Sequence, residues 1–121
     1  MRNAKCQADL SDRTKLYARR IIRLVSALPK TTVAQVLGKQ VLRSGTSVGA
    51  NYREASRARS RAEFVAKMGD CLKELSESEY WLELLSEEEV VASEKLVPLL
   101  AETRELTAIF VTSIKTARSR V

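Results

Sequence analysis

The sequence predicts an all-α protein, a single antiparallel up-down-up-down four-helix bundle that spans residues 1–121. Three observations lead to this prediction. Apolar residues recur at helical spacing in four long segments, and no segment shows the period of two residues that is typical of strands. The chain contains only four Gly and two Pro, and 30% of its residues are charged, which favours long helices with short connections.

The first helix is predicted over residues 11–28, after a polar tail of residues 1–10. Ser11 or Asp12 can cap the exposed amide groups at its start. Pro29 should end it, because the residue before a proline avoids the α region. The apolar face of this helix consists of Tyr17, Ile21, Leu24, Val25 and Leu28.

The second helix is predicted over residues 32–56, with Thr31 or Thr32 as its cap. Gly45 and Gly49 lie inside it, and each costs about 1 kcal/mol relative to Ala at such a position. Because the two glycines lie one turn apart on the same side of the helix, we expect another backbone to come close there.

The third and fourth helices are predicted over residues 61–86 and 94–117. Ser60 and Glu63 form a capping box, in which each side chain can bond to a backbone amide near the other. Pro98 should kink the start of the fourth helix or move that start later. The third helix carries a heptad stripe of Phe64, Met68, Cys71, Leu75, Ser78, Leu82 and Leu85. The inner face of the fourth consists of Leu96, Leu99, Leu100, Thr103, Leu106, Phe110 and Ile114.

The second helix also carries a polar ridge beside an ordinary apolar stripe. The ridge starts at Val33 and Leu37 and continues as Gln40, Ser44, Ser47, Asn51 and Glu54. The apolar stripe consists of Val41, Val48, Tyr52 and Ala55. Three interpretations of the ridge stay open: polar packing between helices, an interface between subunits, or a solvated face. The candidate structural or interface residues are Gln40, Arg43, Ser47, Asn51, Glu54, Glu74 and Glu77.

The register between the second and third helices follows from their short connection. If the hairpin turns at residues 58–59, Arg43 faces Glu74 or Leu75, and Arg43 and Glu74 should form a half-buried ion pair. Such a pair contributes little to stability but can fix the register of two helices. Further facing pairs would be Gln40 with Ser78 and Asn51 with Lys67.

Charge is divided unevenly along the chain. Residues 1–67 hold 15 Lys and Arg against four acidic residues, a net charge of +11, whereas residues 68–121 carry a net −5, which gives +6 in total. Segregated basic charge favours a polyanionic partner, and two surfaces of opposite charge favour self-association. The candidate nucleic-acid-binding residues are Arg19, Arg20, Arg23, Arg53, Arg57, Arg59 and Arg61.

The arginines around the second turn, residues 53–61, allow three interpretations. Guanidinium groups bind phosphate through two parallel hydrogen bonds, so phosphate binding is the first. A contact with an acidic neighbouring subunit is the second. A solvated turn, with partial pairing to Glu54 and Glu63, is the third. Because aromatic residues make up only 5% of the chain, binding should involve the backbone and shape of a nucleic acid rather than its bases.

Enzymatic chemistry has little support in this sequence. The chain has no His, which excludes Ser-His-Asp catalysis and the Glu-x-x-His pairs of di-iron bundles. Cys6 and Cys71 show no metal-binding spacing, and Cys71 lies on an apolar stripe. We therefore expect no enzyme, no cofactor and no metal site. A carboxylate-based, ferritin-like metalloprotein, built from Glu54, Glu74, Glu77 and Glu79, is the alternative.

The location of the protein is predicted from what its N-terminus and helices lack. The N-terminus has no apolar signal-peptide core, and no apolar run approaches the length of a membrane span. These features predict a cytoplasmic protein that does not contact membranes.

Several of these residues resemble a bacterial family of four-helix bundles encoded in intervening sequences of 23S ribosomal RNA genes. The resemblance covers about residues 15–112 and is carried by Ser47, Asn51, Glu54, Phe64 and Gly69 in this order. Many members carry Pro at the position of Gly49 and Gly at that of Ala55. The family also resembles the accessory protein of diversity-generating retroelements, a basic pentameric bundle that binds nucleic acid and a reverse transcriptase. The resemblance implies a non-catalytic antiparallel bundle that forms a homo-oligomer, often a pentamer.

Together, the residues and the resemblance predict a non-catalytic basic bundle that self-assembles and binds the backbone of RNA or DNA, with RNA as the expected partner. The alternative is a protein-interaction scaffold, or an accessory subunit of a reverse transcriptase. In that case the basic end of one subunit would meet the acidic helices of the next and form a ring.

Overall fold

The computed structural model describes the backbone of residues 2–120 and the side chains of residues 10–120. It contains four helices and, within residues 2–120, no strand: α1 (Arg2–Ser26), α2 (Thr32–Ser56), α3 (Arg61–Glu87) and α4 (Ser93–Ser119). Each helix packs against the next along the chain, and α1 approaches α4 at only a few backbone positions. The predicted antiparallel up-down-up-down bundle is confirmed.

Helix α1 begins at Arg2, so the predicted start of this helix at residue 11, after the polar tail of residues 1–10, and the predicted cap at Ser11 or Asp12 are wrong. The segment before Ser11 contains no Pro or Gly, and Ala4, Lys5, Gln7 and Ala8 are good helix formers. Cys6 lies outside the residues whose side chains the structure describes.

The starts of α2 and α3 follow the predicted capping residues. The Thr31 hydroxyl accepts a hydrogen bond of 3.2 Å from the amide of Ala34, which places the cap of α2 at Thr31 rather than Thr32. The Ser60 hydroxyl accepts a bond of 3.0 Å from the amide of Glu63. Helix α1 ends at Ser26, slightly before its predicted end, and Pro98 lies inside α4, which starts at Ser93.

The core of α2 consists of the predicted apolar stripe and neighbouring small residues, and it includes only Ser44 of the predicted ridge. The apolar stripe of Val41, Val48, Tyr52 and Ala55 is buried, together with Ala34, Gly38, Ser44 and Gly45. Val33, predicted as the start of the ridge, has 56% of its surface exposed. The predicted stripe of α3 is buried except for Phe64, which is half-buried, and the inner face of α4 is buried except for Leu100, also half-buried.

Glycines allow α1 to pack closely against α2. A Cβ atom at Gly45 would lie 2.7 Å from Cγ1 of Ile21, and one at Gly38 would lie 2.8 Å from Cδ1 of Leu28. A Cβ atom at Gly49 would lie 3.2 Å from Oγ1 of Thr14. The glycines therefore fit the expected close approach, and these contacts fix how far along α2 each turn of α1 lies.

Four buried hydroxyl groups cross the middle of the bundle, one from each helix. The hydroxyls of Ser44 and Ser78 lie 2.8 Å apart, and those of Tyr17 and Thr103 lie 2.7 Å apart. Burial raises the pKa of Tyr17, and hydrogen bonding to Thr103 and to Ser78 opposes that rise. All four residues have at most 1% of their surface exposed, so the polar groups are satisfied inside the core.

Candidate nucleic-acid interface

The turn between α2 and α3 concentrates exposed arginines at one end of the bundle, which we call the basic end. Arg53 lies in the last turn of α2, Arg57 and Arg59 lie in the connection, and Arg61 is the first residue of α3. All four are exposed. Among residues 10–120, none of their guanidinium groups forms an ion pair with a carboxylate.

An open groove of about 380 Å³ runs across this end. It is lined by Arg53, Glu54, Arg57, Arg59, Glu63 and Lys67. Four of these side chains are basic and two are acidic, so the lining carries a formal charge of +2. A groove with this charge favours an anionic ligand, and its openness suits an extended polyanion better than an enclosed small molecule.

The connection is held in place by Glu63. Its Oε1 accepts a hydrogen bond of 3.1 Å from the backbone N–H of Arg59, whereas a capping box would direct it to Ser60. The carboxylate thus binds backbone, and it leaves the arginine side chains free to face solvent. This arrangement disagrees with the interpretation in which Glu63 pairs with the guanidinium groups.

Glu54 pairs with a lysine rather than with an arginine. Its Oε1 lies 2.7 Å from Nζ of Lys67, and the two side chains are 57% and 34% exposed. Hydrogen bonding to Glu54, together with its charge, raises the pKa of Lys67. The sequence predicts Asn51 as the residue that faces Lys67, and this prediction is wrong. The partner is Glu54, which lies about one turn further along α2.

The predicted binding residues of α1 lie apart from the basic end. Ile21 packs on Gly45, which places Arg19, Arg20 and Arg23 beside the middle of α2. Arg53 lies eight residues beyond Gly45, or about 12 Å along the helix axis. The seven arginines therefore form two separate groups rather than one patch.

The structure adds cations that the sequence prediction left out. Because α4 runs antiparallel to α3, its last turns lie at the same end as the α2–α3 connection, and the rings of Tyr52 and Phe110 contact each other at 5.9 Å. Lys115, Arg118 and Arg120 are exposed beyond that contact. The predicted topology already placed these residues at the basic end, so the sequence held the signal that identifies them.

The ridge of α2 mainly holds α2 and α3 together. Arg43 forms an ion pair with Glu74 at 3.3 Å, as predicted, and a second one with Glu77. Ser78 bonds to Ser44 rather than facing Gln40 as predicted, because the facing positions lie slightly further along α3. The Ser47 hydroxyl donates to the backbone carbonyl of its own helix at Arg43, and Gln40 and Asn51 are half-buried.

Cys71 and the carboxylates outside the groove show no sign of a reactive or metal-binding site in the part of the chain that the structure describes. Cys71 is fully buried, and burial raises the pKa of its thiol to about 12, so it behaves as a small apolar side chain. Among the residues that the structure describes, no group of three carboxylates or thiols could hold a metal ion. No helix within the described range combines the length and the apolarity needed to cross a membrane.

Comparison with known proteins identifies a family and a similar solved structure. The sequence model of a family described as 23S rRNA-intervening sequence protein matches residues 7–112. A solved structure from Bacteroides thetaiotaomicron VPI-5482, described as a protein of unknown function from the S23 ribosomal protein family, is 39% identical. It superposes with a TM-score of 0.84 and covers 90% of this chain and 97% of its own. No curated protein matches the chain.

Proposed function

The chain belongs to the 23S rRNA-intervening sequence protein family, and on that premise we propose that it is a non-catalytic, self-associating bundle that binds nucleic acid. The basic end would contact the phosphate backbone, with RNA as the expected ligand. Arg19, Arg20 and Arg23 would form a second, separate contact region on α1.

One observation carries this proposal: the basic end presents four exposed arginines without carboxylate partners in the described structure. An unpaired guanidinium group offers its full charge and a planar set of donors to a phosphate. Tyr52 and Phe110, the rings that lie toward this end, are buried in the core. Recognition would therefore depend on phosphate and shape rather than on stacking with bases.

Self-association is supported by the surface at the opposite end and on the sides. Val33, Val36, Tyr80 and Val97 each expose more than half of their surface. Glu87, Glu88 and Glu89 are exposed at the end opposite to the arginines. A scaffold in which the basic end of one copy meets the acidic end of another is the second candidate function, and a reverse transcriptase as partner stays a prediction.

A salt titration with a fluorescein-labelled single-stranded RNA tests the proposal. Affinity should fall steeply with salt, with a logarithmic slope of about −0.7 for each phosphate neutralised. The double substitution Arg53→Glu/Arg57→Glu should weaken binding about tenfold or more. It should also make the slope shallower by about 1.4, the contribution of two phosphate contacts. Lys30→Glu/Lys39→Glu, the same change of charge at exposed lysines away from the basic end, should have a smaller effect.

Light scattering on the same variants separates the two candidate functions. Unchanged mass with lost RNA binding supports the nucleic-acid function. Loss of assembly in Arg53→Glu/Arg57→Glu supports the scaffold. Absence of any RNA or DNA binding at low salt by the unmodified protein contradicts the proposed function.

A further inference from the structure

Lys67 differs from the arginines that share its groove, because among the described residues it is the one cation there with a carboxylate partner. Its Nζ lies 2.7 Å from Oε1 of Glu54, and both side chains line the groove. Within residues 10–120, the Glu54 carboxylate forms no other hydrogen bond or ion pair. The partner of Lys67 is thus held by this single contact.

The two carboxylates of the groove have different roles in this geometry. Glu63 accepts from the backbone of Arg59 and belongs to the cap of α3, so its position is tied to the fold. Glu54 projects from the last turns of α2 and bonds only a flexible ammonium group. An ion pair between two side chains this exposed contributes little to stability, so it can be exchanged at small cost.

A phosphate oxygen and a carboxylate oxygen are similar acceptors for an ammonium group, and both are anionic. A phosphodiester that enters the groove between Arg53, Arg57 and Arg59 therefore meets a carboxylate that already occupies Lys67. We propose that Glu54 competes with nucleic-acid phosphate for Lys67, so that Lys67 exchanges its carboxylate partner for a phosphate when the polyanion binds. This inference rests on the proposed function. It assigns Glu54 the role of lowering the affinity of the groove for nucleic acid, which the neighbouring arginines raise.

The test compares the unmodified protein with Glu54→Gln, Lys67→Gln and the double variant, each titrated with labelled single-stranded RNA and with single-stranded DNA over a range of salt. Glu54→Gln should bind about threefold to tenfold more tightly at low salt, because Lys67 is released and a negative charge is removed. Its slope should equal that of the unmodified protein, because Lys67 contacts a phosphate in both complexes, whereas the slope of Lys67→Gln should be shallower by about 0.7. Lys67→Gln should bind more weakly than the unmodified protein.

The double variant separates release of Lys67 from simple loss of repulsion. In the Lys67→Gln background, Glu54→Gln should still improve affinity, but by a smaller factor than it does when Lys67 is present, because no ion pair has to be broken. Glu87→Gln, the same change of charge at the exposed end of α3, should change affinity less than Glu54→Gln does. Circular dichroism and thermal unfolding of each variant confirm that the fold is retained, as expected for exposed residues.

The outcomes distinguish this inference from the proposed function. Binding by the unmodified protein together with equal or weaker binding by Glu54→Gln overturns the exchange of partners and leaves the proposed function standing. An equal gain in affinity from Glu54→Gln with and without Lys67 also overturns it. Absence of salt-sensitive binding by the unmodified protein to either probe overturns both.

Discussion

The hydroxyl groups of Tyr17 and Thr103 lie 2.7 Å apart in the centre of the bundle and join α1 to α4. The Thr103 hydroxyl also donates to the backbone carbonyl of Leu99 at 2.8 Å. Because a hydroxyl has one proton to donate, Tyr17 is the donor in the bond between the two side chains. The pair therefore has a direction, and its two members should respond differently to substitution.

Thr103→Val should destabilise the protein more than Tyr17→Phe does. Tyr17→Phe removes the phenol hydroxyl as a whole and leaves Thr103 bonded to Leu99, so we expect a loss of about 1 kcal/mol. Thr103→Val leaves the Tyr17 hydroxyl buried without this acceptor, at a cost of about 1–3 kcal/mol. Urea unfolding measures both values. Tyr80→Phe, the same substitution at a residue that is 54% exposed, is the control and should change stability by less than about 0.5 kcal/mol. An equal loss for both core variants would contradict the direction of the bond.

Gly45 and Gly69 should give opposite results when changed to Ala. At Gly69 no atom apart from the surrounding turns of its own helix lies within 4 Å of the new Cβ, so Gly69→Ala should stabilise the helix by about 0.5–1 kcal/mol. At Gly45 the new Cβ would lie 2.7 Å from Ile21, and overpacking of this kind costs about 1–3 kcal/mol, which exceeds the gain in helix propensity. Thermal unfolding of the two variants side by side checks the signs. A more stable Gly45→Ala protein would mean that Ile21 repacks freely.

The two carboxylates that pair with Arg13 should contribute unequally. Glu102 is 19% exposed and bonds Arg13 through both oxygens, at 2.6 and 3.2 Å, whereas Glu105 is 64% exposed and contributes one bond of 3.0 Å. Glu102→Gln should therefore cost about 1 kcal/mol, and Glu105→Gln less than about 0.5 kcal/mol. Denaturant unfolding at low salt measures the difference. Equal losses would indicate that burial of Glu102 adds nothing to the pair.

Cys71 should make the protein less stable in alkali. Burial raises the pKa of its thiol from 9.0 to about 12, so the unfolded chain loses this proton first. Stability is then constant below about pH 8 and falls as the pH rises toward 12, by about 1.4 kcal/mol between about pH 8 and pH 10. The comparison uses a Cys6→Ser background, with and without Cys71→Ala, in urea at each pH. A fall of the same size in the Cys71→Ala protein would assign the effect to other groups.

Much of the fold follows from local pattern, and the exceptions have physical causes. The heptad stripe through Met68, Cys71 and Leu75 predicts the buried face of α3 because a single helix determines it. The predicted start of α1 is wrong for a local reason. Ser11 and Asp12 suit the cap position, but no Pro or Gly before them interrupts a helix that begins at Arg2. A residue that suits the cap position therefore marks a possible helix start, and the helix continues past it where no Pro or Gly interrupts the chain.

The sequence predicts which arginines belong to the candidate site, but it predicts only some of the contacts between side chains there. The pair of Arg43 and Glu74 followed from the hairpin register, which needs only the position of one turn. The pair of Glu54 and Lys67, in contrast, depends on a shift of about one turn, which no local pattern specifies. The separation of Arg23 from Arg53 also required knowing how α1 slides along α2, and this is set by the glycine contacts.

Because the backbones of α1 and α4 come close at only a few positions, the bundle has a lengthwise seam between these two helices. Near the middle of that seam, side chains rather than closely packed backbones join the two edges, chiefly Tyr17 with Thr103 and Arg13 with Glu102. Opening there separates few closely spaced backbone positions, whereas parting α1 from α2 means withdrawing Ile21 from its contact with Gly45. In local opening of the folded protein, α1 should move away from α4 while it stays packed on α2. The core would then first become exposed to solvent along this seam.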